Sequence, residues 1–281
     1  MLLLIPVTLY FKIPMKKVVV FISSFAIVAG HYSCSAQLEG HSETSEHQTD
    51  TTHLPGNTIS TRFEIPKGYS EMKVEQNSFA EYLRNLPLKT ENATVTYFDG
   101  RTKINRSVYC AVIDQDIDPV DLQQCADAVM RLRGEYLFSQ KRYSDIHFSF
   151  LSDGKPRYFR DYANGDYSYS KFRKYMKYIF SYANTASLKK ELKPVSIISS
   201  IEIGYVFIQS GNPYGHAVIV VNLIEDENGN KKMMLAQSYM PAQETQVLLN
   251  PNAENSPWYD VKEGALQTPE WNFHSSDLRR F

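Results

Sequence analysis

Apolar residues return at helical spacing in two long stretches. Leu122, Cys125, Ala126, Val129, Leu132 and Tyr136 recur every three or four positions, and this predicts a long helix from Asp118-Pro119 to about Phe138. Phe172, Tyr175, Met176, Ile179 and Phe180 predict a second amphipathic helix over 170–182, and Phe79, Leu83 and Leu86 a shorter one over 78–86. Elsewhere the pattern reads as strands: 94–98, 108–113 and 146–150, then 205–209, 216–224, 231–238 and 246–249. Asp99-Gly100 and Asp153-Gly154 mark turns, and Asn228-Gly229-Asn230 marks a hairpin. A helix-rich first part followed by an antiparallel meander predicts an α+β domain.

The first 60 residues carry a different pattern. Lys16 and Lys17 precede an apolar run over 18–30, and Ser33-Cys34-Ser35-Ala36 is a small-residue exit. This is the layout of a secretory signal segment, and the run is short for a membrane span. Met15, directly before the lysines, is an alternative start. Residues 37–60 are polar, with too little apolar surface to fold alone, and read as a tether. The chain thus divides into a signal segment at 1–36, a tether at 37–60 and one domain at 61–281. The address is exported: periplasm or outer membrane. Two readings of the exit stand side by side, ordinary cleavage before Gln37 or a lipid anchor at Cys34.

Composition narrows the partners. Hydrophobic residues make up 43% and charged residues 22% of the 281, as in a folded soluble domain. The net charge of −1 gives no basic surface for nucleic acid. Tyrosine and phenylalanine are abundant, at 19 and 15, which suits either an aromatic core or a surface that contacts glycans or protein partners. No closely spaced Cys/His set suggests zinc. Asp114, Asp116, Asp118 and Asp121 lack the central glycine and terminal glutamate of a calcium loop and read as caps and turn residues. With no glycine-rich phosphate loop either, the expectation is no cofactor and no metal.

The candidate chemistry rests on a thiol. In an exported chain Cys110 and Cys125 would form a disulfide or remain free. A free Cys125 becomes nucleophilic only near a helix start and a histidine. If Asp118 caps the helix, Cys125 lies two turns in; if Asp121 caps it, with Gln124 completing a capping box, Cys125 falls at the fourth position. On the apolar stripe it also reads as a buried structural cysteine. His216 follows the turn-prone 211–215 segment and opens a buried strand, where it would be a base or a turn histidine. Gln237, on the next strand, would accept the imidazole Nδ1–H and fix its tautomer, or be a buried structural glutamine. Backbone N–H groups at the helix start, with the Gln124 side chain, would stabilise an oxyanion.

Two resemblances bear on these residues. The segments 121–128 (Asp-Leu-Gln-Gln-Cys-Ala-Asp-Ala), 131–133, 215–221 (Gly-His-Ala-Val-Ile-Val-Val), 235–243, 257–259 and 271–273 resemble a Bacteroidetes family of unknown function, numbered 4846, over residues 63–281. That resemblance implies an envelope protein, often lipoprotein-like, and no particular activity. The order Cys125, Gly204-Tyr205-Val206-Phe207-Ile208, His216, Gln237 is similar to NlpC-type, papain-like proteins, although Tyr205 stands where those usually carry Asp. It implies a long central helix packed on a C-terminal antiparallel sheet. It also implies a cysteine hydrolase acting on cell-wall peptides or other envelope amides, with Cys125, His216, Gln237 and Gln124 at its site. The alternatives are a binding protein that holds a glycan, peptide or envelope protein through Trp258, Tyr259 and Trp271, and a purely structural envelope component.

Overall fold

The apolar run after Gly215 becomes an eleven-residue strand, His216–Asp226, and the rest of the fold is arranged around it. The computed structural model describes residues 56–211 and 213–281; the expected signal segment at 1–36, Cys34 and the expected tether up to residue 55 lie outside the described residues. Ile59 is fully buried, so the folded part takes in the end of the 37–60 stretch. The helices are α1 (Ile59–Arg62), α2 (Phe79–Arg84), α3 (Cys125–Ser139), α4 (Phe159–Ala163), α5 (Tyr169–Phe180) and α6 (Thr185–Glu191). The strands are β1 (Tyr69–Glu71), β2 (Tyr109–Val112), β3 (His147–Ser149), β4 (Pro156–Tyr158), β5 (Lys193–Pro194), β6 (Val206–Gln209), β7 (His216–Asp226), β8 (Lys231–Gln237), β9 (Gln246–Leu248), β10 (Tyr259–Asp260), β11 (Ala265–Gln267), β12 (Asn272–His274) and β13 (Leu278–Arg280).

The main sheet runs β2-β9-β8-β7-β6-β13-β5, with β1 added to β7 and β10 to β8, and its pairings are antiparallel. β7 is buried without a break from His216 to Ile224, as expected of a strand covered on both faces. Its one polar interruption, Asn222, sits at a bulge between Val220 and Asn222. The buried Arg84 of α2 answers it: Nε donates to Asn222 Oδ1 at 2.9 Å and Nη1 to the Met72 carbonyl at 2.8 Å. The fold is thus α+β, as the order of elements predicts. Among the described residues no helix is long and apolar enough to cross a membrane.

α3 is the central helix. Its residues Cys125 to Leu132 are all buried, and it packs on β7 and β8 as well as on α2, α5 and α6. Gly134 lets α5 approach, since a Cβ there would lie 3.1 Å from Met176 Sδ and 3.3 Å from Phe172 Cζ. An aromatic cluster packs beside this contact; it includes Phe138, Phe159 and Phe172 and the stacked Tyr143–Tyr167 pair.

Two sequence expectations change. Residues 94–98 are not a strand; Thr96 and Tyr97 make only single bridges, to Thr102 and Gln243. The long helix begins at Cys125, not near Asp118 or Asp121. The segment before it instead takes a succession of tight backbone turns, with Val120 N–H bonded to Asp118 O, Leu122 to Val120 and Gln124 to Leu122.

Candidate functional site

The late helix start decides where the thiol lies. Gln124 is the N-cap, and its N–H donates to Asp127 Oδ2 at 3.0 Å. Asp127 therefore holds the place three residues in that Gln124 would take if Asp121 were the cap. Asp121 accepts instead from the Ala242 N–H at 2.7 Å and from Gln124 Nε2 at 3.0 Å, tying the segment before the helix to the loop after β8. Cys125 is thus the first helical residue, nearer the positive end of the helix than either an Asp118 or an Asp121 cap would place it. There the first N–H groups have no acceptor within the helix.

Among the described residues both cysteines, Cys110 and Cys125, are free. Cys110 Sγ faces the Val247 carbonyl at 3.6 Å, and Cys125 is buried elsewhere. The Cys125 thiol donates to the Gly215 carbonyl at 3.9 Å, directly before His216 in β7. Burial pushes this thiol up to about 12, and the nearby Asp127 adds to the rise. The backbone N–H groups of Ala126, Ala217 and Cys125 itself act in the opposite direction. Helix start and amide donors favour a thiolate, but burial outweighs them, and the resting group is a neutral thiol.

His216 is fully buried at the start of β7, with Gln209 of β6 opposite it in the ladder. Its Nε2 lies 2.7 Å from Gln237 Oε1 on β8. The expectation was a bond at Nδ1; the ring is turned the other way, and Nδ1 is the buried nitrogen with no hydrogen-bond partner. Burial lowers the imidazole to about 4, with the Lys103 charge adding to the fall and the Gln237 bond opposing it. The ring is therefore neutral near physiological pH.

The polar chain continues beyond Gln237. Gln237 Nε2 donates to Glu270 Oε2 at 2.7 Å, and Lys103 Nζ donates to the same oxygen at 2.8 Å and to Gln243 Oε1 at 3.0 Å. Sequence reasoning missed Lys103 and Glu270, because neither sits in a periodic pattern and they are 167 residues apart. Glu270 and Trp271 are set by a tight turn in which Thr268 N–H and Oγ1 both donate to the Trp271 carbonyl. Trp271 and Tyr239, both half-buried, lie over the imidazole with ring centres 5.3 and 4.9 Å away. Trp271 Nε1 is bonded to Gln209 Oε1 at 2.9 Å.

The four residues expected at a site are therefore treated unequally. His216 and Gln237 are joined. Cys125 adjoins His216 through the Gly215 carbonyl but makes no hydrogen bond to the ring. Gln124 has one amide N–H committed to Asp121 and keeps the second. Of the aromatic residues expected to bind partners, Trp258 and Tyr259 are buried, with Trp258 Nε1 on the Glu64 carbonyl, and neither presents a surface. Only Trp271 is near the site.

No curated protein and no solved structure matches this chain. A family described as Domain of unknown function (4846) matches it over residues 59–167 and 154–280, which together cover nearly all of the folded part. The chain belongs to that family.

Proposed function

We propose that the chain is a thiol hydrolase with an NlpC-type, papain-like arrangement, cleaving an amide by acyl transfer through Cys125. The observation that carries this reading is the set of roles around His216. It is a neutral imidazole with Nε2 engaged by Gln237 and Nδ1 free, beside a cysteine that is the first residue of a helix. A thiol nucleophile needs a base, a third group that orients the base, and donors for an oxyanion, and each has a counterpart here.

In this cycle the thiol proton leaves the Gly215 carbonyl for His216 Nδ1 as the sulfur attacks the substrate carbonyl. The S–C bond forms, and the oxyanion is held by the Cys125 N–H and the second N–H of Gln124. Collapse breaks the C–N bond, and the imidazolium gives its proton to the departing amine. Water then attacks the thioester with His216 as base, releasing the acid and restoring the thiol. Peptidoglycan stem peptides and other envelope amides are the proposed substrates, given the exported address read from Lys16 to Ala36. A lipid anchor at Cys34 is part of the same proposal.

A second reading is a non-catalytic binding protein on the same arrangement. One observation favours it: the thiol proton rests on a backbone carbonyl rather than on the imidazole. The test is acylation. The full chain is incubated with p-nitrophenyl acetate and with D-amino-acid-containing stem peptides, and acyl adducts are mapped by peptide mass spectrometry. Hydrolysis expects an adduct on Cys125 that is lost in Cys125→Ser and depleted in His216→Ala. Acylation confined to surface lysines, or indifferent to His216, sinks the reading.

A further inference from the structure

We infer that Glu270, braced by Lys103, is the positioning residue that selects the tautomer of His216. Its purpose rests on the hydrolase reading above; its test does not.

The inference follows the direction of each hydrogen bond. An ionised carboxylate has no proton to give, so what Gln237 turns toward Glu270 Oε2, 2.7 Å away, has to be the amide NH2. The other end of the amide, Oε1, is thereby committed to His216 Nε2 at 2.7 Å. An amide oxygen only accepts, so Nε2 carries the ring proton. A neutral imidazole has one N–H, which leaves Nδ1 as a bare lone pair. It is the nitrogen without a partner in the structure, and the one a neighbouring thiol would need as base.

Lys103 fixes the carboxylate in turn. Its side chain is 4% exposed, it pairs with Glu270 at 2.8 Å, and its second bond goes to Gln243 Oε1. Gln243 Oε1 is held from the other side by Gln246 Nε2 at 3.1 Å, so the amide cannot turn without losing both donors. An isolated His–Gln pair is ambiguous, because a half-turn of the amide presents NH2 to the ring, puts the proton on Nδ1 and removes the base. The Glu270–Lys103 pair removes that ambiguity from outside the ring's own contacts. It does so at a real cost, the burial of an ammonium.

The experiment reads the proton directly. Long-range 1H–15N correlation spectra are recorded on the 15N-labelled full chain near neutral pH, with His216 assigned by its absence in His216→Gln. A pyrrole-type Nε2 and a pyridine-type Nδ1 are expected in the native chain. In Glu270→Gln, which can also donate toward Gln237, Nε2 should shift toward the pyridine type and an Nδ1–H form should appear. Lys103→Met serves as the second variant, expected to move the same signals, and far-UV circular dichroism identifies which variants fold. A native Nδ1–H tautomer, or ring signals unchanged in every folded variant, overturns the inference. The two readings fail separately. Missing acylation at Cys125 with a Glu270-dependent tautomer removes only the hydrolase, and acylation with a Glu270-independent tautomer removes only the positioning role.

Discussion

The sulfur of Cys125 faces the carbonyl oxygen of Gly215 at 3.9 Å, so in the resting molecule a backbone acceptor holds the proton that a catalytic base would take. The thiol is pushed up to about 12 by burial. Iodoacetamide labelling of Cys125 in the native chain should therefore be slow near neutral pH. It should climb about tenfold per pH unit, as the thiolate fraction does, without levelling until strongly alkaline pH. Because His216 would act only during attack on a carbonyl, His216→Ala should leave this profile nearly unchanged while depleting acylation. A plateau in labelling near neutral pH would show instead a preformed thiolate and overturn the neutral-pair description. Peptide mass spectrometry across a pH series reads both.

Two buried groups should shape stability against pH in opposite directions. His216 falls from 6.5 to about 4 through burial, so its contribution is present above 6.5 and is lost as pH falls through about 4. Asp127 is raised from 3.8 to about 8, again by burial, so its contribution is present below 3.8 and is lost as pH rises through about 8. Asp127→Asn keeps an oxygen for the Gln124 N–H and removes the titration. It should leave the chain more stable than wild type above pH 8 by more than about 1 kcal/mol and shrink the advantage toward pH 4. Urea unfolding at several pH values measures this; a pH-independent difference between the two chains would contradict it.

Gly204 has φ +95°, and a Cβ there would lie 2.9 Å from Phe79 Cδ1. Gly215 carries no such backbone demand, but its Cβ would lie 2.2 Å from the Gln209 carbonyl oxygen and 2.5 Å from Thr185 Oγ1. Alanine at 204 combines an unfavourable φ with a contact on an aromatic ring and should cost about 2 kcal/mol. Alanine at 215 meets backbone, which yields less, and should also displace the carbonyl that receives the Cys125 proton. The expectation is a lower urea midpoint for both variants, with faster Cys125 labelling only for Gly215→Ala. Equal labelling in the two would separate Gly215 from the thiol.

The sheet was legible because its strands announce themselves locally: Ala217 to Ile224 is an apolar run broken only by Asn222, and Asn228-Gly229 names the turn to β8. The helix start was not. Asp118-Pro119 and Asp121 both look like caps, but Asp121 is taken up by the Ala242 N–H, a partner 121 residues away, and the helix is left to begin at Cys125 with Gln124 as its cap. His216 and Gln237 were readable as a pair because they lie on neighbouring strands of one hairpin. Which end of the amide meets the ring was not, since Gln237 Nε2 is turned to Glu270, itself paired with Lys103, and both are brought in by loops whose sequences carry no period. The same holds for Trp258, whose indole is buried against the Glu64 carbonyl by a contact 194 residues long.

Access to the site should run through Trp271. The imidazole is fully buried, and of the three aromatic rings packed on it Trp271 and Tyr239 are half-buried while Phe273 is buried, so the first two are its neighbours nearest solvent. Trp271 is held in two ways: Nε1 bonds Gln209 Oε1, on the residue that faces His216 across the β6–β7 ladder, and its carbonyl closes the Thr268 turn. The second bond is backbone and survives substitution. Trp271→Ala should therefore keep the turn and Glu270 in place while opening one side of the cover. Labelling of Cys125 should rise about tenfold or more, an amount set by removal of a ring that must otherwise move, with only a modest fall in the urea midpoint because the indole is not fully buried. Gln209→Leu removes only the tether and should raise labelling less. Labelling unchanged in both variants, with the fold intact by circular dichroism, would mean that reagents reach the thiol from the Gln124 side, and Trp271 would then have no part in gating the site.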